Sequence, residues 1–289
     1  MRSGSRSAPA RSRKQCLFCG MGAKLTKEHI NPRWLQPYLG RRFTHTGHSV
    51  SIRTLDVSKG AMEPYQFSRG KLERAEDPHS QTLRILCAQC NNVRLGALQE
   101  RAKQYLLPLV VGVWPDLDLE GQHVVAAWAA MNTMIREAAD PPTAATSKEA
   151  RREFLVSLQA PATWSVWIGR YSGSQSGVMN HVGWKEQQDL PLHPLVNKDV
   201  CRQTTGFVIG QLFILTMSAP DNVGDSRQAF GEQFAQQYDL SLVWPTTSRV
   251  TMPQTVYDWR GWNLVARQIS RRRGIAVRIV GDTVYGGDS

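Results

Sequence analysis

The chain has 289 residues, of which 41% are hydrophobic, and this supports one large globular domain or two ordinary ones. No apolar run reaches the roughly 18 residues that a membrane-spanning helix needs, so we expect no membrane partner. The N-terminus is basic and lacks the apolar stretch of a secretory signal. We therefore expect a cytoplasmic protein, in which paired cysteines bind metal rather than form disulfides.

The formal net charge of +11 comes entirely from the first 110 residues, which carry 19 Lys and Arg against 7 acidic residues. The remaining residues are balanced, with 16 Lys and Arg against 17 acidic residues. Clustered positive charge suits a polyanion, because Lys and Arg neutralise phosphates and release their counterions. A basic surface that only faces solvent is the alternative.

Two CxxC pairs dominate the first part of the chain. After a tail at 1–15 that we expect to be disordered, Cys16 and Cys19 form one pair, and Cys87 and Cys90 form the other. Each pair places two thiolates on a short turn, and two such turns complete a tetrahedron around one structural zinc. We expect this cysteine module to span residues 16–107, with a long polar insertion at about 39–80.

The dipeptide Glu28-His29 follows the first pair, on a short segment that ends at Pro32. Asn91 and Asn92 follow the second pair and are expected to open a helix, where they are candidates for its N-cap. A zinc ion bound by both pairs would bring Glu28-His29 against the start of that helix. Because adjacent residues of a regular strand point to opposite faces, Glu28 and His29 can share one ion only if the chain turns there.

A second segment, 116–289, is expected to be an α+β domain of unknown role. Asp118 is a predicted helix cap, Pro141 ends that helix, and a capping box at 146–149 begins another that ends near Leu158. Strands are predicted at 163–171, 177–184, 204–210, 212–218 and 275–280, with a helix at 259–272. We expect the first two strands to form a hairpin and the fold to combine helices with a mostly antiparallel sheet.

The run LTKEHINPRWL at 25–35, together with a CxxCN sequence that opens a helix, resembles the zinc-stapled branch of the HNH endonucleases. Members of that family have a ββα-metal fold, in which a hairpin and a helix hold one catalytic divalent ion. The resemblance covers about a third of the chain and implies an HNH-like zinc module followed by a mixed α+β domain.

The resemblance implies metal-dependent hydrolysis of DNA phosphodiester bonds, with double-stranded DNA as the partner. His29 would be the general base, and Glu28 and Asn91 would bind a catalytic Mg²⁺ or Mn²⁺. The residues expected to bind phosphate are Lys24, Lys27, Arg33 and Arg94. Thr82 stands where the family has Asn, and Asn91 stands where it often has His, so a catalytically degenerate, zinc-stapled nucleic-acid-binding protein is the alternative. The further candidates for ligand or orienting residue are Asn92, His79, Gln99 and Glu100.

Other residues whose side chains could bind metal, react or stack on bases are interpreted as structural. His45 and His48 lie in the polar insertion and are expected in a solvated loop. Cys201 is expected to be a small buried side chain. Most of the nine tryptophans are expected to fill the core, although they are also able to stack on bases. The sequence does not indicate an oligomeric state.

Overall fold

The computed structural model describes residues 14–39, 48–52, 55–56, 61–64, 66–72, 80–141, 144–173, 179–183, 203–218, 226–248, 250, 252–262, 264–265 and 282–283. Several predicted features lie outside these described residues: the tail to residue 13, His45, His79, Cys201, the end of the 259–272 helix and the strand at 275–280.

The fold is mixed α and β, with mostly antiparallel strand pairs. The strands are β1 Leu25–His29, β2 Ser49–Ile52, β3 Leu55–Asp56, β4 Ala61–Met62, β5 Gln66–Arg69, β6 Thr82–Cys87, β7 Trp164–Tyr171, β8 Met179–Gly183, β9 Gln203–Ile209, β10 Leu212–Ser218, β11 Ser241–Trp244, β12 Val256–Tyr257 and β13 Asp282–Thr283. The α-helices are α1 Gly96–Val110, α2 Leu119–Glu137, α3 Lys148–Ser157 and α4 Ser226–Tyr238. A 3₁₀ helix, Arg33–Tyr38, follows β1, and a π-helical segment, Gln89–Leu95, runs directly into α1.

Within the part of the chain that the structure describes, one large sheet has the strand order β11-β7-β10-β9-β8-β13, and β12 adds to β7 as a parallel neighbour. The strands β9 and β10 are buried at every position, which means that both faces of the sheet are covered. On one face Ile214 and Phe207 belong to the main core, and on the other Phe213 and Val208 pack with Phe234 of α4.

Helix α2 lies at the centre of the main core. Asp118 caps its first turn by accepting a hydrogen bond from the Gly121 N–H (2.7 Å), as the sequence predicted. The helix is buried from Gly121 to Glu137 except at His123. One cluster of buried residues runs from the cysteine pairs through α1 and α2 to the sheet. The helix has almost no exposed face because other elements enclose it on all sides.

Two local predictions need correction. The helix α3 is capped by Ser147, whose hydroxyl accepts from the Ala150 N–H, and not by Thr146. The strands β7 and β8 do not form a hairpin, because β7 pairs with β10 and β11 while β8 pairs with β9. The tight hairpin is instead β9–β10, whose turn contains Gly210 at a φ of 57°. A positive φ at this position favours glycine.

His48 is also not in a solvated loop. It is 2% exposed, its Nε2 lies 2.6 Å from Oδ2 of Asp140, and its Nδ1 accepts the Leu72 N–H at 3.0 Å. Because Nδ1 accepts a hydrogen bond, Nε2 carries the proton and donates to Asp140. The pair fastens the insertion to the end of α2.

Within the described ranges, every helix is too short or too polar to span a bilayer.

The close approach of β9 to Trp262 gives a test of the core. A methyl group at Gly206 would overlap the indole of Trp262, which is fully buried. We expect Gly206→Ala to lower the free energy of unfolding by about 1–3 kcal/mol, measured by urea denaturation. In a Trp262→Leu background the same substitution has room, so its cost should nearly vanish. Equal costs in the two backgrounds would contradict this packing.

Candidate metal centre and adjacent acidic pocket

The first cysteine pair lies on a tight turn at the start of the described chain. Gln15 and Gly22 form an isolated β-bridge, and within the turn the Gly20 N–H donates to the carbonyl of Cys16 (2.9 Å). Gly20 has a φ of 73°, a conformation that a residue with a Cβ rarely adopts. The turn therefore directs the Cys16 and Cys19 thiols to the same side.

The second pair lies where β6 passes into the π-helical segment, and it meets the first. The four Sγ atoms of Cys16, Cys19, Cys87 and Cys90 all lie within 4.8 Å of one another, and Sγ of Cys19 is 3.8 Å from Sγ of Cys87. With Zn–S bonds of about 2.3 Å, a tetrahedral site requires sulfur atoms roughly 3.8 Å apart. The donor set and its spacing fit a structural zinc, and four sulfurs leave no coordination position for catalysis.

Hydrogen bonds favour the thiolate form of Cys16. The Cys87 N–H donates to Sγ of Cys16 at 3.3 Å. Burial raises the pKa of Cys16, but this and other backbone N–H donors bring its pKa below the ordinary value. Burial raises the pKa of Cys90. A bound cation offsets that cost, because metal binding displaces the thiol proton.

The helix α3 packs against this metal centre. The rings of Phe18, in the first cysteine turn, and Phe154 have centroids 5.8 Å apart, and both side chains are buried. Arg94 donates to the carbonyl of Leu155 in the last turn of α3 (3.2 Å). Arg94, expected at a phosphate, therefore has one N–H committed to a helix end, while its side chain remains largely exposed.

The pair β1–β6 sorts the predicted site residues onto two faces. Lys27 pairs with Arg84, Glu28 with Leu83 and His29 with Thr82. Directly opposed residues share a face and successive residues alternate. Glu28 and Leu83 therefore face the interior, whereas Lys27, His29, Thr82 and Arg84 share the outer face. The chain does not turn between Glu28 and His29, so their side chains leave β1 in opposite directions.

Glu28 and its hydrogen-bond partners form a small buried cluster between β1 and α1, which we call the acidic pocket. Glu28 is 7% exposed, and its Oε1 accepts from Nε2 of Gln99 (3.3 Å), while Oε1 of Gln99 accepts from Nε1 of Trp34 (3.0 Å). Burial raises the pKa of Glu28 from 4.5 to about 7, although hydrogen bonds from Asn91 and Gln99 oppose the shift. The carboxyl therefore titrates near neutral pH in the metal-free protein.

Asn91 ties the start of the helical segment to β1. Its Nδ2 donates to Oγ1 of Thr26 (3.0 Å) and to the carbonyl of Lys27 (3.3 Å). Because a backbone carbonyl only accepts, these contacts assign the amide nitrogen to the side that faces β1. The structure places Asn91 beside Glu28, and its amide nitrogen, rather than its oxygen, faces the carboxyl group.

His29 lies at the end of β1 in a different environment. Its pKa is lowered, first by partial burial and then by the positive charges of Arg33 and Lys27. The imidazole is therefore neutral at pH 7 and has a free ring nitrogen for accepting a proton.

The other candidate residues lie apart from this pocket or serve different purposes. Asn92 is exposed within the π-helical segment, and Glu100 is exposed and ion-paired with Lys103 (2.6 Å). The interpretation of Asn91 or Asn92 as an N-cap is wrong, because the helical segment begins after Ala88. Lys24, Lys27 and Arg33 are exposed on or near the antiparallel β1–β6 hairpin.

One buried contact of this region was missed by sequence reasoning. Nη2 of Arg136 in α2 donates to Oδ1 of Asn31 at 2.7 Å, two residues after His29. Both side chains are 1% exposed. The position of Asn31 between His29 and Pro32 could have suggested a structural role. Its partner could not be predicted, because Arg136 is 105 residues away in the sequence. The contact anchors the segment after His29 to the central helix.

Comparisons with known protein families, with curated proteins and with solved structures found no match to this chain.

The cysteine geometry predicts about one zinc per chain. Replacing Cys19 or Cys90 with Ser should abolish zinc binding and lower the free energy of unfolding by roughly 3 kcal/mol or more, because a metal bound only to the folded state stabilises it. Metal content and urea denaturation measure both effects. Cys201→Ser is the matched control and should retain the metal. Full zinc content in both site variants would contradict the assignment.

The acidic pocket predicts a pH-dependent stability. The pKa of Glu28 is higher in the folded than in the unfolded chain, so its contribution is fully present below pH 4.5 and is lost as pH rises through about 7. Glu28→Gln should therefore raise the free energy of unfolding by about 1–3 kcal/mol at pH 8 and by little at pH 5. The comparison uses zinc-loaded protein without Mg²⁺ or Mn²⁺. The exposed Glu100→Gln should show no such difference, and equal behaviour of the two variants would refute a buried, high-pKa Glu28.

Proposed function

We propose that this protein is an HNH-type endonuclease that hydrolyses phosphodiester bonds of double-stranded DNA with the help of Mg²⁺ or Mn²⁺. The observation that carries the proposal is the placement of Glu28 and His29 on a β1–β6 pair that the four-cysteine cluster borders, with Gln99 of α1 bonded to Glu28. The chain order of two strands and a helix supports the proposal, because the family that the sequence resembles has the same order, although Thr82 and Asn91 differ from the residues usual at their positions. The scissile phosphate would lie beyond the end of β1, where both Glu28 on one face and His29 on the other could reach it.

His29 is the proposed general base. Hydrolysis requires a group that takes a proton from the attacking water while a new bond to phosphorus forms and the bond to the sugar oxygen breaks. The lowered pKa of His29 keeps its imidazole neutral at physiological pH, and neighbouring Arg33 and Lys27 attract the phosphate to it.

Glu28 and Asn91 are the proposed ligands of the catalytic ion. Glu28 supplies a hard carboxylate oxygen, and Gln99 orients that carboxylate through one oxygen. A half-turn of the Asn91 amide would present its oxygen in place of its nitrogen. Mg²⁺ commonly uses one or two protein groups and completes its shell with water and substrate phosphate, so this small donor set fits it. When bound, the ion would neutralise charge on the phosphate and on the leaving oxygen.

A second candidate function, a zinc-stapled DNA-binding protein without catalysis, is favoured by one observation. The Asn91 amide nitrogen already bonds to Thr26 and to the Lys27 carbonyl, so turning it toward an ion would break two hydrogen bonds. In that case Asn91 is a structural clamp, Glu28 stays a buried acid, and the basic outer face alone carries the function.

Nicking of supercoiled plasmid separates the two functions. Zinc-loaded wild-type protein should nick DNA only when Mg²⁺ or Mn²⁺ is added, and His29→Ala should slow nicking by at least about 100-fold. His123→Ala is the matched control, because His123 is also half-buried but contacts Trp244 away from the pocket. It should leave the rate unchanged.

Two results would contradict the nuclease. Plasmid that stays intact while the zinc-loaded protein retards it on a gel would establish the binding function instead. Nicking that persists in His29→Ala at the wild-type rate would reject His29 as the base.

A further inference from the structure

A basic groove lies on the β1–β6 pair, at the opposite end from His29. It encloses about 590 Å³ and is lined by Lys14, Ala23, Lys24, Leu25 and Arg84. Three of these five residues are cations and none is acidic. The other two, Ala23 and Leu25, are apolar, so no lining carboxylate competes with a phosphate for the cations. Lys14 and Arg84 were not among the phosphate-binding residues expected from the sequence.

The groove continues directly into the outer face of the hairpin. Arg84 lines the groove and is also the cross-strand partner of Lys27, and the next pair on that face is His29 and Thr82. Two like charges directly opposed on a ladder repel each other and destabilise the sheet. Neither Lys27 nor Arg84 forms an ion pair with a described acidic residue. An unneutralised cation pair is expected where the counter-charge comes from a bound polyanion.

The spacing along the hairpin fits a nucleic-acid backbone. His29 lies five residues after Lys24, which at about 3.4 Å per residue is roughly 17 Å. Duplex DNA covers this distance in about five base-pair steps of 3.4 Å. The Lys24 end of the groove would therefore contact the backbone several nucleotides away from a phosphate at His29.

We propose that the groove formed by Lys14, Lys24 and Arg84 binds the sugar–phosphate backbone of a nucleic acid and leads it along Lys27 to His29. The inference rests on the proposed function for the position of the cut, whereas backbone binding in the groove stands on the charges alone. Duplex DNA and duplex RNA both offer this chemistry, and the experiment includes both.

The salt dependence of binding tests the groove. Zinc-loaded protein carrying His29→Ala is titrated with a fluorescent DNA duplex or RNA duplex, without Mg²⁺ or Mn²⁺, between about 50 and 200 mM salt. We compare Lys24→Gln/Arg84→Gln with the control Lys148→Gln/Arg260→Gln, which removes two exposed cations elsewhere. Zinc content and urea denaturation are measured for both pairs, so that a folding defect is recognised.

The groove variant should bind more weakly, and the slope of log K against log salt should fall in magnitude by about 2, since each lost phosphate contact removes about 0.9. The control should keep the wild-type slope. Equal slopes in the two variants would overturn the groove, even if the wild-type protein nicks plasmid. A groove-dependent slope in a protein that never nicks would support the groove and reject the nuclease. The duplex that shows the slope change identifies the nucleic acid.

Discussion

Four thiols that meet across 68 or more residues of sequence hold the N-terminal part of this structure together. The first cysteine turn bonds to the hairpin, since the Leu17 N–H donates to the carbonyl of Ile85 (2.8 Å). The second pair directs β6 into α1 and so places Gln99 beside Glu28. A two-stranded ladder is marginal by itself in water, so a metal ion bound by the four thiols would stabilise the β1–β6 pair.

The buried core does not stop at the cysteine module, so the packing around the four cysteines continues into the rest of the fold. The helix α2 lies between that module and the large sheet, and it carries buried polar groups on both sides. Oγ1 of Thr133 lies 3.0 Å from Oγ1 of Thr216 in β10, and Glu137 accepts the N–H groups of Ala145 and Thr146. Buried polar groups of this kind are stable only when their partners are fixed in place. The position of the hairpin is therefore tied, through Arg136 and Asn31, to the packing of the sheet.

What the sequence predicted correctly was local. The cysteine pairs, the Asp118 cap and the strand β10 depend on spacings of a few residues, which the chain displays directly. Strand pairing was not predictable in the same way, because a polar loop between two strands indicates a turn but not which neighbours a sheet will choose. His48 depends on Asp140, 92 residues away, and a lone histidine in a polar stretch carries no sign of such a partner. The role of Gln99 was likewise open, since only the folded hairpin brings Glu28 to it.

The register shift in β1–β6 decides which residues this surface presents. Thr26 pairs with Leu86 and Lys27 with Arg84, so Ile85 is an extra residue on β6. In a regular strand, residues three apart lie on opposite faces, yet Leu83 and Leu86 are both buried. The extra residue thus resets the alternation, so that β6 buries both leucines and still displays Arg84 outward. A regular ladder that kept Ile85 would place Leu83 and Leu86 on opposite faces and expose one of them, whereas a chain without Ile85 would keep both leucines inward and Arg84 outward.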